Sequence, residues 1–244
     1  MNDQEIRGVW LGLSGYVLWG LSPIFWKALK DVEALDILSW RVICTFIFTI
    51  ICNGFLKVNR GRSKQNFSPS KNKYSLVAGL LIGFNWGMFV WAVEADHVVD
   101  ASLGYFMNPL MNVFLGVVFL RETLRKAQWA SVALAGTGVI WLTFALGSFP
   151  WISLTLATSF AFYGLIRKVA PAGPLNGLTI ETTTLVIPAV FFLLIRGNAP
   201  DNLTSSTGTT ILILLSGVAT GIPLLFFASS ARRVPLSILG LLQY

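Results

Sequence analysis

The segment ASLGYFMNPLMN, residues 101–112, sets a tyrosine, two asparagines and a proline just before the apolar run VFLGVVFL. On a helix turning about 100° per residue, Ser102, Tyr105, Asn108 and Asn112 fall within an arc of roughly 120°. Pro109 removes one backbone hydrogen bond and frees a carbonyl near Tyr105. Buried amides cost free energy unless their hydrogen bonds are answered. In lipid, a polar stripe beside an interrupted backbone is tolerated only where it faces protein or a water-filled cavity. The chemistry such groups can do is recognition of a polar solute. Interhelical amide bonding, worth about 0.6–2 kcal/mol, is the alternative. One such residue would suffice for that purpose, and this helix carries several.

Further candidates for the same cavity are Asn85 and Trp86, which lie off a groove formed by Gly79, Gly83 and Gly87. An aromatic ring there supplies a flat wall or a cation–π surface. Trp19, Tyr163 and Gln243 join them, with core packing as the competing reading for the aromatics. Arg41 and Glu181 are charges inside apolar stretches, where each costs about 2.5–3.5 kcal/mol at the bilayer centre. Each stands about five residues, roughly 7 Å, from an opposite membrane face, so the two are not expected to meet. Arg41 is expected to reach outward to Glu33 or Asp36, and Glu181 inward to Arg167 or Lys168. The sharper reading makes each a gate, with Glu181 a candidate for proton coupling.

These groups need a membrane scaffold, and the composition demands one. The 244 residues are 55% hydrophobic and 12% charged, with mean hydropathy +0.69. An ordinary soluble domain carries about 25% charged residues. The net charge of +7 is divided among short clusters between apolar runs, which excludes a nucleic-acid-binding face. Cys44 and Cys52 are too few for a disulfide framework and lack metal-ligand spacing. The single histidine, His97, falls in a loop; H-E-x-x-H, G-x-S-x-G and Walker A patterns are missing, so no enzyme, metal or cofactor is expected. Glu122, beside Arg121, Arg125 and Lys126, reads as a tie among loop charges.

A membrane span needs about 20 apolar residues, which predicts helices near 7–26, 36–56, 75–93, 100–120, 127–146, 149–166, 177–195 and 209–228, with a ninth starting near 236. Lys57, Arg60, Arg62, Lys64, Lys71 and Lys73 mark one loop as cytoplasmic, and with it the N-terminus. Arg121, Arg125, Lys126, Arg167, Lys168, Arg232 and Arg233 then share that side. Glu33, Asp36, Glu94, Asp96, Asp100 and Asp201 fall opposite. WGLSPIFWK aligns with FAFYGLIRK, ALDILSWR with PLNGLTIE, and AVEADHVVDASLG with ASSARRVPLSILG, in the same order. Five helices separate the copies, so the second enters from the other face. The reading is an inverted repeat, with units 6–146 and 149–244.

The segments GFNWGMFVWAV (83–93), ASLGYFMNPLMN (101–112), SFAFYGLIRK (159–168) and LSILGLLQY (236–244) resemble the RarD group of bacterial permeases. That group lies within the EamA-type drug/metabolite transporter superfamily. The resemblance implies an all-α polytopic bundle of five plus five helices with both termini cytoplasmic, in the bacterial inner membrane. Eight complete helices and the start of a ninth are present, so a C-terminally truncated chain is expected. The expected function is secondary active transport, in the export direction, of a small metabolite or drug-like molecule, with proton coupling as an option. A channel-like or structural membrane protein is the alternative. Expected partners are the small-molecule substrate and the lipid bilayer, with a homodimer left open.

Overall fold

A computed structural model describes residues 2–60, 69–197 and 206–244; Arg62, Lys64 and Asp201, used above as topology markers, lie outside them. The described residues form nine α-helices and no strand. They are α1 (Asp3–Lys27), α2 (Ala34–Arg60), α3 (Pro69–Glu94), α4 (Val98–Leu120), α5 (Lys126–Leu146), α6 (Trp151–Val169), α7 (Pro174–Arg196), α8 (Thr207–Ala231) and α9 (Leu236–Leu241). Seven of them are long and apolar enough to cross a membrane. The chain is an all-α, multi-pass membrane protein.

Hydropathy located seven lipid-crossing stretches and missed the helical extensions beyond them; the segment expected as a span near 149–166 is helical but too polar to count as one by composition. The apolar portions of α2 and α3 are Ala34–Leu56 and Lys73–Glu94, yet the helices run on to Arg60 and back to Pro69. Outside the hydrocarbon a helix no longer needs apolar side chains, so its end escapes an apolarity test. α1 begins with a reciprocal cap. The Asn2 side chain accepts from Glu5 N at 2.8 Å, and the Glu5 carboxylate accepts from Asn2 N at 3.0 Å. α5 ends at Gly147, whose φ of 68° is the left-handed conformation that glycine adopts at least cost.

α1 packs on α8, α2 on α7 and α8, α3 on α6 and α7, and α4 on α6 and α9. α5 lies against α4, and no residue from 126 to 145 is buried. α6 is the long helix too polar to count as a span by composition, and it is surrounded by α3 and α4. Ser153, Ser159, Tyr163 and Arg167 are all buried along it. Protein replaces lipid around α6, so its polar groups find partners. The ring of helices therefore has a polar inner member and an apolar rim.

Close approaches fix the packing. The predicted glycine groove on α3 is used at two of its three positions: Gly79 faces the Glu181 backbone and Gly83 faces Leu185, while Gly87 has nothing within 4 Å. Gly217 of α8 sits hardest against neighbouring backbone, since a Cβ there would stand 2.3 Å from the carbonyl carbon and oxygen of Cys44. Backbone cannot yield as a flexible side chain can. Gly217→Ala is therefore expected to destabilise the bundle by about 1–3 kcal/mol, whereas Gly87→Ala costs nothing and gains up to about 1 kcal/mol of helix propensity. Thermal unfolding of both variants in detergent checks this; equal midpoints would refute the packing.

Candidate functional site

The interrupted backbone of α4 is where the helices are stitched together. Pro109 cannot donate to the carbonyl of Tyr105, four residues earlier. That carbonyl accepts instead from Gln243 Nε2 at 3.0 Å, and the Asn108 amide donates to Gln243 Oε1 at 2.7 Å. Tyr244 adds a third link, its hydroxyl donating to the Phe106 carbonyl at 2.7 Å. Gln243 thus answers a free carbonyl and a buried amide with its two ends. Asn108 is buried, and Asn112 more deeply so. The Asn112 amide reaches Asn108 Oδ1 only at 3.5 Å, and its own oxygen has no partner. A Cβ on Gly240 would fall 2.8 Å from Asn112 Cβ, and one on Gly164 would fall 3.4 Å from its Oδ1, so Asn112 is wedged among α4, α6 and α9.

The other members of the predicted stripe diverge from it. Ser102 is exposed and turns its hydroxyl back to the Val98 carbonyl at 2.8 Å. Tyr105 is 58% exposed, with its ring 5.9 Å from that of Phe89. Asn85 ties α3 to α6: its amide donates to the Leu156 carbonyl and the Ser159 hydroxyl, both at 2.9 Å. These bonds occupy both of its donors, which makes it an interhelical tie.

Close to Asn112, across Gly164, stands an aromatic cluster from three helices. Trp19 and Tyr16 of α1 meet Phe227 of α8 at 5.7 and 6.3 Å between ring centroids. Phe160 of α6 contacts Trp19 at 5.7 Å and Phe227 at 5.1 Å. Tyr163 stacks on Phe227 at 6.0 Å with an interplanar angle of 14°. These edge and offset contacts each add about 0.5–1.5 kcal/mol beyond area burial. Tyr163 is fully buried, so it closes the cluster from behind.

The two intrahelical charges have different neighbours. Glu181 pairs with Arg167, Nη1 to Oε1 at 2.9 Å, with both side chains 0% exposed. The Tyr163 hydroxyl donates to Glu181 Oε2 at 3.1 Å, and Arg167 Nη2 donates to the Pro174 carbonyl at 2.8 Å. Gly177 leaves room for the guanidinium, since a Cβ there would lie 1.8 Å from Nη1. The predicted inward pairing of Glu181 holds for Arg167. Lys168 goes elsewhere, donating to the Ala231 and Val234 carbonyls.

Arg41 does not reach Glu33 or Asp36. Arg196, at the end of α7, takes both: it contacts Glu33 directly and Asp36 at 3.5 Å. Asp36 precedes Arg41 by five positions, about 140° round the helix, so the two side chains leave α2 in different directions. Arg41 instead turns inward, 4.0 Å over the Trp86 ring of α3 and 5.4 Å from that of Trp26 of α1. Tyr105 of α4 is its electrostatic neighbour.

A residue whose role went unseen in the sequence is Glu122. It accepts from Leu236 N at 2.7 Å, from Ser237 N at 2.8 Å and from the Ser237 hydroxyl at 2.7 Å, with Lys168 at 3.9 Å. Orphan N–H groups at a helix start need acceptors, and here a carboxylate from α4's end supplies them to α9. The αL conformation of Arg121, φ 56°, folds Glu122 back beneath α4. A proline at 235 ahead of a helix start was the only local sign.

Two apolar crevices open on the outer surface of the bundle. One lies between α3 and α6 and the other between α2, α3 and α7; neither holds a charged side chain. Among the described residues no group of three or more His, Cys, Asp or Glu could hold a metal ion. The groups gathered here are amides, a carbonyl released by Pro109 and a guanidinium set against indole rings, the types of group that recognise polar solutes.

Comparison with known proteins agrees with this architecture. A profile of the EamA-like transporter family matches residues 6–144. An uncharacterised transporter of Pseudomonas aeruginosa is 42% identical over 240 residues, 98% of this chain and 80% of its own. The transporter YojE of Bacillus subtilis is 40% identical over 100% of this chain and 83% of its own, and RarD of Escherichia coli is 39% identical over 99% and 82%. A crystal structure covering 97% of this chain and 83% of its own superposes with a TM-score of 0.73 at 16% identity, a likeness of fold. The chain belongs to the EamA-like family of membrane transporters, and within it to the RarD group.

Proposed function

We propose that the protein is a secondary active transporter that exports a small metabolite or drug-like molecule across a bacterial plasma membrane by alternating access. The observation that carries this reading is the amide layer of Asn108 and Gln243 at the break in α4. It stands about halfway along α4, beside aromatic walls supplied by α1, α6 and α8. At mid-depth Pro109 frees the Tyr105 carbonyl from the helix ladder, so the amides of Asn108 and Gln243 that meet it are polar groups a solute could engage by exchanging partners with them. Units 6–146 and 149–244, read as an inverted repeat, supply two halves that can rock about that layer. The lysine and arginine pattern supports a cytoplasmic N-terminus in this reading. The solute and the bilayer are the partners; a second copy of the chain has the unburied faces of α5 available to it.

For the coupling ion the reading takes the proton, with Glu181 as its carrier. It is a fully buried carboxylate within a long helix, and its protonation would discharge one half of the pair with Arg167. Breaking a buried pair from one side costs about 3–5 kcal/mol, whereas replacing both members with apolar groups is much cheaper.

Two measurements separate function from scaffolding. In proteoliposomes carrying the full-length protein, Asn108→Leu is expected to lower flux about tenfold or more while stability falls only by the loss of its bond to Gln243 and its long one to Asn112, about 1–2 kcal/mol. Parallel losses of flux and stability would make Asn108 helix glue. Glu181→Gln is expected to abolish uphill movement driven by an imposed pH gradient and to spare downhill exchange. Arg167→Met combined with Glu181→Leu should be more stable than Arg167→Met alone. If wild-type flux is only downhill and insensitive to pH, proton-coupled export is wrong and a channel-like protein takes its place.

A further inference from the structure

Among the described residues, the cations packed against neighbouring helices are answered in different ways. Arg167 has Glu181, Arg196 has Glu33 and Asp36, and Lys168 has two carbonyls with Glu122 nearby. Glu122 is itself committed to the start of α9. Arg41 forms no ion pair among the described residues, and its Nε is buried with no hydrogen-bond partner. What it has are rings: Trp86 at 4.0 Å, Trp26 at 5.4 Å, and the phenol of Tyr105 as electrostatic neighbour.

Rings satisfy only part of a guanidinium. The π-face attracts the cation, but the five N–H groups project around the rim of the plane and need acceptors. A cation held inside a membrane protein without a counterion is costly, so an anion supplied from outside relieves that cost. The framing helices also matter. Trp26 comes from α1, Trp86 from α3 and Tyr105 from α4, while α1 packs on α8 and α3 and α4 pack on α6. Arg41 thus has indole rings from two other helices against its guanidinium and the Tyr105 side chain of a third within electrostatic range.

We infer that Arg41, framed by Trp26, Trp86 and Tyr105, is the recognition point for the carboxylate of a small organic monoanion with a flat apolar body. The charge count sets the class: one guanidinium with a neutral phenol balances one negative charge, and a phosphate dianion would need a second cation. A carboxylate matches the guanidinium fork with two parallel hydrogen bonds. The indole walls, and the cluster of Trp19, Phe160 and Phe227 further in, suit an aromatic or otherwise planar remainder. The inference rests on the transport reading above, because it names the substrate class for that transport.

Equilibrium binding tests it without requiring flux. The purified full chain in neutral detergent is titrated with benzoate, phenylacetate and hydrocinnamate, and with the amide of each, while tryptophan fluorescence is followed. At least one acid is expected to bind about tenfold or more tightly than its amide. Arg41→Gln should erase that preference, and Arg41→Lys should retain part of it; melting temperatures show that both variants are folded. Equal response to acids and amides, no saturable response to any of the three acids, or a preference that survives Arg41→Gln overturns the assignment. Charge-selective binding with no flux in proteoliposomes would sink the transport reading and leave the anion site standing. Flux of neutral solutes unaffected by Arg41→Gln would do the reverse.

Discussion

Inside a bilayer a polar group has no water to fall back on, and each one left unanswered costs several kcal/mol. That constraint organises this molecule more than apolar packing does, because lipid competes equally well for leucines. Pro109 leaves the Tyr105 carbonyl open, and the end of the chain is drawn to it through Gln243. Arg167 and Glu181 neutralise each other, and Tyr163 and the Pro174 carbonyl take up further valences. Asn85 bridges to the backbone of α6. The helices pack where their polar groups find one another, and the glycines let them come close enough to do so.

α6 carries this logic furthest. It is too polar to pass as a membrane span by composition, and it lies between α3 and α4 with serines, a tyrosine and an arginine buried along its length. The more apolar α5, by contrast, lies outside with no buried residue between 126 and 145. Soluble proteins bury their apolar helices and expose the polar ones. The reversal here follows from exchanging water for hydrocarbon as the surrounding solvent.

How much of this the sequence disclosed depended on the range of each interaction. The spans were legible because apolarity is additive along a segment. The free carbonyl beside Tyr105 was legible because a proline's effect is confined to one helical turn, and the pairing of Glu181 with Arg167 because both stand near the same short turn. Arg41 was misassigned to the nearest acids in sequence, since its indole partners belong to other helices and Arg196 arrives from α7 to claim those acids. Glu122 was unreadable in isolation: the helix start that it serves lies 114 residues further on. Asn112 looked like Asn108 from its spacing, and only the glycines of α6 and α9 distinguish a wedge from a lining residue.

The attachment of α9 has a mechanical corollary. Glu122 holds its first turn to the end of α4, while Gln243 and Tyr244 hold its other end to the middle of α4. Two anchors at different heights remove both sliding and tilting, so α4 and α9 behave as one lever. The chain between α8 and that lever is only the turn 232–235, and Lys168 grips the Ala231 carbonyl just before it and the Val234 carbonyl within it. Any displacement of the lever relative to α1 and α8 is therefore concentrated in four residues. On the proposed alternating-access reading, that turn would be the joint whose stiffness sets how far the two sides of the bundle can part.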